Sequence, residues 1–371
     1  MRVVITGGYG FLGWHTACRL RAMHGIDATR LGREDQADLE TVVASADVVI
    51  HIAGVNRAES DEAVRQGNED LARAVAAAIV ASGRPIRVVY ANSIQAELEH
   101  SPYGAGKAAA AVVLAESAAR VGGSLADVLL PNLFGEHGRP HYNSFVATFC
   151  SVLAEGGSPS VMGDKEIPLL HAQAAAECLI EAMQGEQNVQ IRPQAERRLV
   201  SEVLDLLVGF RDLYSRGEVP DLSEQFLVDL FNTYRSYTFP QAFPIHPQVH
   251  ADDRGMLVET ARSHGGTGQA FVSTTRPGLT RGDHYHLHKV ERFFVVRGQA
   301  EISLRRLLTD DVVTFRIDGE RPGFVDMPTM WVHNISNVGT EDLVTMFWAD
   351  QLLDPENPDQ YPELVALEGR P

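Results

Sequence analysis

At 371 residues the chain is long for a single hydrophobic core, so two domains of unequal size are expected. A net charge of -17 argues against nucleic acid or an anionic membrane as a main partner, since both call for a concentrated basic face, but leaves room for an anionic small ligand held by a few cations. Three widely spaced cysteines, Cys18, Cys150 and Cys178, fit free thiols in a reducing compartment, and no run approaches the ~18 apolar residues of a membrane span, so a cytoplasmic protein is expected.

RVVIT is a short apolar strand followed at once by GGYGFLG and a helix-length stretch closing on Gly25. Gly7, Gly10 and Gly13, with Phe11 on the same turn, let the chain turn tightly, bring backbone close to a pyrophosphate and pack helix on strand, while the helix N-terminus offers free N–H groups to the anion. DATRL (27–31) reads as the second strand. Where an NAD-type domain places an acid for the ribose hydroxyls, this chain offers Arg30, Gly32 and Arg33; an arginine there suits a 2'-phosphate and hence NADPH, the bland alternative being that Arg33 is a solvated surface charge. DVVIHIAG (47–54) reads as a buried parallel strand ending in Ala53 and Gly54, small residues over which a cofactor can lie. A helical run from about Asp61 to Ala81 and a strand RVVYANS ending in Ser93 continue the alternation.

SPYGAGKAAAAVVLAESAAR opens a helix at Pro102 and puts Tyr103 and Lys107 on one face. A lysine ammonium beside a phenol is expected to lower the phenol pKa from about 10 towards working pH. Tyr103 would then exchange a proton with a carbinol oxygen that Ser93 also hydrogen-bonds. Through TGGYGFLG, HIAG, ANS, YGAGK and PNLFG (131–135), residues 1 to about 240 resemble the extended short-chain dehydrogenase/reductase family. The resemblance implies a Rossmann-type doubly wound sheet and NAD(P)-dependent chemistry at a carbonyl or alcohol. It makes Ser93, Tyr103 and Lys107 the catalytic set and places Asn132 near the nicotinamide. Two departures stand out: Leu129 and Leu130 precede the Pro-x-Asn segment where an arginine is usual, and LLHAQAAAE (169–177) replaces the usual Val-Asp-Asp segment, which puts the late substrate contacts in question. Arg139, His141 and Asn143 follow in GRPHYN; Arg139 and Asn143, with Asn132, are candidates for holding substrate, although loop polars are often only solvated.

A helical region near 201–235 leads into YTFPQAFPIHPQVH, whose prolines and lack of period suggest a linker or interdomain strap, so the domains are expected at 1–243 and 244–371. Beyond it, short alternating runs separated by turn residues indicate an all-β barrel or sandwich. The spacing Gly278, His284, His286, Glu291, Gly298 resembles the first motif of the cupin family, and Pro328, His333 and Asn337 its second, with Met330 where glycine is usual. His284 and His286 share a strand face by period two, Glu291 comes from the next segment and His333 returns from a distant strand. Three imidazoles and a carboxylate suit Zn, Fe, Mn or Ni, and spacing does not choose among them. DDRGMLVE (252–259) and LTRGDHYH (279–286) also resemble the metal-independent dTDP-sugar 3,5-epimerases, apart from Leu257 where they have Phe; on that resemblance His284 is a base rather than a ligand. A purely structural histidine is the third reading for His284 and His333, and the spacing does not require His288.

Over the whole chain, HIAGVNR, NSIQA, PNLFG, YNSFVATFC, ADDRG and the tail from WVHNISNVG to DPENPDQY resemble a family of bifunctional capsular-polysaccharide enzymes in which a reductase is fused to a cupin. That resemblance implies C3 epimerisation of a UDP-linked 4-keto-6-deoxy sugar in the cupin, NADPH reduction at C4 in the first domain, a zinc in the cupin and a homodimer or larger homo-oligomer. Two rivals stand beside it: a cupin that only regulates or oligomerises, and a nucleotide-sugar epimerase or dehydratase that recycles a retained nicotinamide.

Overall fold

The computed structural model describes residues 1–98 and 101–366, and the chain divides into two compact units. The first comprises residues 1–134, 142–144 and 166–198, and the second residues 135–141, 145–165 and those from 199 onward.

In chain order the first elements are β1 (Val3–Thr6), α1 (Phe11–His24), β2 (Thr29–Leu31), α2 (Leu39–Ala44), β3 (Val48–His51), α3 (Asp61–Ser82), β4 (Arg87–Ser93), α4 (Pro102–Arg120) and β5 (Ser124–Leu130). There follow β6 (Asn132–Phe134), α5 (Phe145–Ala154), β7 (Glu166–His171), α6 (Ala172–Glu181), β8 (Val189–Ile191) and β9 (Glu196–Leu199). Six strands form a parallel sheet in the order β2-β1-β3-β4-β5-β8, the Rossmann-type arrangement expected. Because the chain runs outward from β1 to β2 and then returns to β3, the strand order reverses at the β1/β3 carboxyl ends, where open α/β sheets bind ligands. Strands buried on both faces read as continuous apolar runs, and Val4, Val49, Ile79, Val88 and Leu114 accordingly share one core. Local signals set the two long helices: Ser60 accepts from the Ala63 amide to start α3, Gly83 ends it in the left-handed region, and Ser101 accepts from the Gly104 amide ahead of α4.

The second unit contains α5, then α7 (Val200–Tyr214) and α8 (Gln225–Thr238), so the expected helical stretch is two helices separated by residues 215–224. It continues with β10 (Val249–Asp252), β11 (Gly255–Val258), β12 (Gln269–Thr275), β13 (Thr280–Tyr285), β14 (Glu291–Arg297), β15 (Gln299–Arg306), β16 (Val312–Asp318), β17 (Gly323–Met327), β18 (Trp331–Asn337), β19 (Leu343–Ala349) and β20 (Tyr361–Pro362). Two antiparallel sheets, β12-β19-β14-β17 and β16-β15-β18-β13-β20, build the cupin-like β domain, and β10 and β11 form a separate hairpin. The proline-rich segment 239–246 is no loose linker. Phe239 and Phe243 are buried, the Phe239 ring lies 4.8 Å from that of Trp331, and Ile245 exchanges backbone hydrogen bonds of 3.0 and 2.9 Å with Phe324.

A buried ion pair ties α7 to the barrel. The Arg292 guanidinium donates to both oxygens of Asp326 at 2.7 and 2.9 Å, Tyr214 Oη donates to Asp326 at 2.9 Å, and the Arg292 guanidinium lies 3.6 Å from the Phe324 ring centroid. Removing one partner leaves the other charge buried without compensation. Asp326→Ala is therefore expected to lower the stability of the second unit by about 3–5 kcal/mol, against about 1 kcal/mol for Tyr214→Phe, as read from the denaturant midpoint of that unit's transition; equal small effects would contradict this account.

Candidate active site and metal centre

In the first unit the glycine turn is closed to side chains. A Cβ at Gly13 would stand 2.2 Å from Gly7 O, so the first turn of α1 can lie this close to the loop only with glycine there. Gly10 is the N-cap of α1, leaving first-turn amides directed at the turn, with Phe11 the first helical residue. Ala53 and Gly54 follow β3, and the Ala53 amide donates to Thr6 O at 3.1 Å. Asn68 fixes the next loop, accepting from Val55 N at 3.1 Å and donating to Val55 O at 2.7 Å. Together these features make a cradle that a dinucleotide fits. At the end of β2, Arg33 is exposed, the Arg30 guanidinium lies 4.7 Å from the Tyr9 ring centroid, and Asp35 accepts from the Gly32 amide at 2.7 Å.

Ser93 ends β4, and its hydroxyl oxygen accepts from the Gln95 amide at 3.2 Å. A Cβ at Gly104 would meet Gln95 O at 2.0 Å, so glycine lets the start of α4 sit against this turn. Lys107 is 2% exposed; its ammonium donates to Ala91 O at 2.6 Å and lies 4.2 Å from the Tyr90 ring centroid. Burial pulls its pKa down to about 7, with the Asp127 carboxylate acting the other way. The expectation for Tyr103 is overturned: burial, with the neighbouring Tyr142, pushes its phenol up to about 12 rather than down. The cause is burial, which disfavours the phenolate, while the Lys107 ammonium is held by a carbonyl and faces the Tyr90 ring.

Several neighbours escaped notice in the sequence. Buried His51 shares a 2.6 Å hydrogen bond with Thr6 Oγ1, stacks on Tyr90 and is pulled down to about 3 by burial and then by Lys107, so it is neutral. Asn92 donates to Asp127 at 2.7 Å. A lone acid within the apolar strand SLADVLL was the available signal for Asp127. Arg57 donates to Asn143 Oδ1 at 3.1 Å and lies over Tyr142 at 5.2 Å.

Exposed Asn132 donates to Pro168 O at 3.4 Å and, like Asn143, belongs to the first unit, whereas Arg139 lies in the loop 135–141 of the second. That loop is anchored by buried Glu136, which accepts from Thr329 Oγ1 at 2.7 Å, and by Gly138 O, which accepts from Tyr237 Oη at 2.5 Å. Where the Val-Asp-Asp segment is missing, His171 is buried against Phe134, and Gln173 hydrogen-bonds His15 at 2.9 Å.

In the second unit the four spaced residues do converge. One ligating atom from each of His284, His286, Glu291 and His333 lies within 4.8 Å of the others. Glu291 Oε2 is 3.9, 3.0 and 3.4 Å from Nε2 of His284, His286 and His333 respectively. Both sheets contribute, because β13 pairs His284 with His333 of β18 while Glu291 opens β14 of the other sheet. His286 Nδ1 donates to Asp359 O at 2.5 Å and His333 Nδ1 to Trp331 O at 2.9 Å, which turns both Nε2 atoms inward. His284 Nδ1 is buried without a hydrogen-bond partner, as is His333 Nε2. Burial favours a neutral Glu291, yet the positive charge of His286, which hydrogen-bonds it at 3.0 Å, and the close approach of His284 and His333 outweigh it and hold the carboxyl well below its usual range. Burial pulls His333 down to about 4. An inward imidazole nitrogen with no partner, beside an ionised carboxylate and two further imidazoles, fits a divalent cation. Met330 occupies the usual glycine position in the left-handed region, at φ 59°, and its amide donates to His286 O at 2.7 Å. A strained backbone position is thus built directly into the link between the two histidine-bearing segments. His288 stands outside the cluster.

Residues 3–192 match the NAD dependent epimerase/dehydratase family and residues 250–361 the polysaccharide biosynthesis C-terminal domain. The chain belongs to the NAD dependent epimerase/dehydratase family, joined to this β domain. It is 34% identical to the UDP-2-acetamido-2,6-beta-L-arabino-hexul-4-ose reductase of Pseudomonas aeruginosa over 97% of this chain and 98% of that protein. Among solved structures it is similar to the capsular polysaccharide assembling protein CapF of Staphylococcus aureus, with 30% identity, a TM-score of 0.62 and coverage of 98% of this chain and 100% of that one. A UDP-N-acetylglucosamine 4-epimerase from Methanobrevibacter ruminantium shares the fold over 57% of this chain and 82% of its own, at 20% identity and a TM-score of 0.50.

The Lys107 environment gives a direct check. Its amine is expected to titrate near 7, followed by competitive acetylation against pH, and Asp127→Asn, which removes a charge favouring the ammonium, is expected to move the midpoint to lower pH. A midpoint in the ordinary lysine range near 10 would contradict the burial argument.

Proposed function

We infer that the chain is a two-site nucleotide-sugar enzyme. The cupin domain epimerises C3 of a UDP-4-keto-6-deoxy-N-acetylhexosamine, and the N-terminal domain reduces the C4 ketone with NADPH, towards UDP-N-acetyl-L-fucosamine and capsular or O-antigen polysaccharide. The observation that carries this reading is similarity to a reductase of such a sugar along nearly the whole of both chains. In this division of labour residues 1–243 supply the reductive site and residues 244–371 the epimerising one.

When bound at the glycine turn, the nicotinamide supplies the hydride. The chain's own residues handle the proton. Tyr103, whose phenol burial keeps protonated, donates to the C4 oxygen as negative charge develops there, and the Ser93 hydroxyl donates a hydrogen bond to the same oxygen. Lys107, fixed by Ala91 O, sets a positive charge near the phenolate that remains and would also reach a ribose hydroxyl. On this reading Asn132 lies near the nicotinamide and Asn143 contacts the sugar nucleotide. Arg33 takes the 2'-phosphate; Asp35, closed on the Gly32 amide beside it, supports a second reading in which NADH also serves.

In the cupin, a proton leaves C3 because the flanking ketone makes it acidic, and its return on the other face inverts the centre. His284 suits this transfer, since its Nδ1 is not tied to a main-chain carbonyl as those of His286 and His333 are. A divalent cation, zinc on the whole-chain resemblance, would be held by His286, Glu291 and His333 with His284 beside them, and would supply Lewis acidity towards the ketone. Reduction at C4 then removes the acidity and fixes the configuration.

No helix among the described residues is long and apolar enough to cross a membrane. Self-association as a homodimer or larger assembly is supported by exposed Met256 and Leu257 on the β10–β11 hairpin and by Phe271 and Val272 on the edge strand β12.

With the 4-keto sugar as substrate, the protein is expected to consume NADPH in step with ketone reduced. Tyr103→Phe is expected to lower kcat/KM by about 10²–10⁴-fold while NADPH binding is retained, and parallel assays with NADH rank the two cofactors. A stoichiometric nicotinamide retained through purification, with no net NADPH consumption, would overturn the reading in favour of a recycling epimerase or dehydratase.

A further inference from the structure

The C-terminal segment DPENPDQY lies outside both cupin motifs and has no role in the chemistry above. In the structure it is bound tightly to the loop that carries His286. Asp359 is buried, with φ 42° in the left-handed region, a conformation that aspartate tolerates better than most residues. Its backbone carbonyl accepts from His286 Nδ1 at 2.5 Å. Its carboxylate accepts from three successive amides, Leu287 N and His288 N at 2.9 Å and Lys289 N at 2.8 Å. Lys289 Nζ donates to Pro358 O at 2.7 Å. Immediately beyond, β20 pairs with β13 and sets Pro362 opposite His284.

The chemistry of these contacts is specific. A carbonyl can only accept, so His286 must carry a proton on Nδ1; Nε2, 3.0 Å from Glu291, is then the nitrogen that can exchange its own proton for a cation. Ligand histidines are held in this way by carbonyls or carboxylates behind them, and losing such a partner typically weakens metal binding by about 10–100-fold. The carboxylate does the same for the loop. Three consecutive amides pointing at one anion fix the backbone from 287 to 289 and, with it, the direction from which the His286 ring enters the cluster.

We propose that Asp359 is a positioning residue for the metal centre: it acts through His286, with its carbonyl setting the tautomer and its carboxylate the loop. The inference rests on the reading of the four-residue cluster as a cation site. Metal-stripped full-length protein is titrated with cobalt(II), followed by its visible absorption, for wild type, Asp359→Ala, Asp359→Asn and the control Glu363→Gln. The control removes the charge from a different contact of the same tail, the 2.7 Å pair of Glu363 with Arg305.

Asp359→Ala is expected to bind cobalt about 10–100-fold more weakly with an altered visible band, and to show faster amide exchange at residues 287–289. Asp359→Asn, which keeps one acceptor oxygen, is expected to fall between it and wild type, and provides the test should the alanine variant not fold. Glu363→Gln is expected to bind as wild type does. Wild-type affinity and spectrum in both Asp359 variants would overturn the positioning role while leaving the cation site standing. Equal weakening in Glu363→Gln would also overturn it, because tail packing in general would then be responsible. A wild-type protein that takes up no cobalt would overturn the cation site itself, and the positioning role with it.

Discussion

A charge removed from water must be compensated where it sits, and the two units meet this constraint in opposite ways. Lys107 is buried beside one carbonyl and one aromatic face, with Asp127 acting from farther off, and burial wins, so the ammonium is only loosely held at neutral pH. Glu291 is buried among three imidazoles, and they win, so the carboxylate stays ionised. The first environment is suited to moving protons and the second to holding a cation. Arg292 and Asp326 show the constraint fully met, each charge matched by the other at hydrogen-bonding distance.

The fold supplies these environments through backbone more than through side chains. In the first unit a parallel sheet delivers the ends of β1, β3 and β4 to the switch in strand order, and glycines at 13 and 104 let the next helices close down on them. In the second, one sheet carries His284 and His333 in register and the other carries Glu291, so the cluster exists only once both sheets have formed. The loops that finish the site are pinned from far away in sequence: the segment after His286 by Asp359, and its His288 carbonyl by Asn232 of α8 at 2.6 Å. Helices α7 and α8 are accordingly part of the cupin unit's structure although they precede the barrel in sequence.

Much of this was legible in the chain because it is carried by short-range spacing. The glycine turn, the four-residue step from Tyr103 to Lys107 and the period-two step from His284 to His286 each follow from local geometry of a turn, helix or strand. The cluster was legible too, since family spacing already relates Glu291 and His333 to the first two histidines. What sequence missed depends on contacts across large separations. Nothing near Lys107 announces that Ala91 O and the Tyr90 ring will engage its ammonium, and nothing near Tyr103 announces the burial that moves its pKa up rather than down. The prolines of 239–246 suggested a linker or an interdomain strap, and the phenylalanines between them pack into the barrel. Met330 broke the glycine pattern by residue type while keeping its backbone conformation, and Asp359 gave no sign of the loop it holds.

The central claim is that two differently charged sites act on one ketone, one by moving a proton beside it and the other by reducing it. The most direct measurement is proton exchange with the reduction step withheld: protein and the UDP-linked 4-keto sugar are incubated in heavy water without NADPH, and deuterium at C3 is followed by NMR. Incorporation that persists in Tyr103→Phe and is lost in His284→Ala is the expected result. No deuterium at C3, or incorporation indifferent to His284→Ala, would contradict the account.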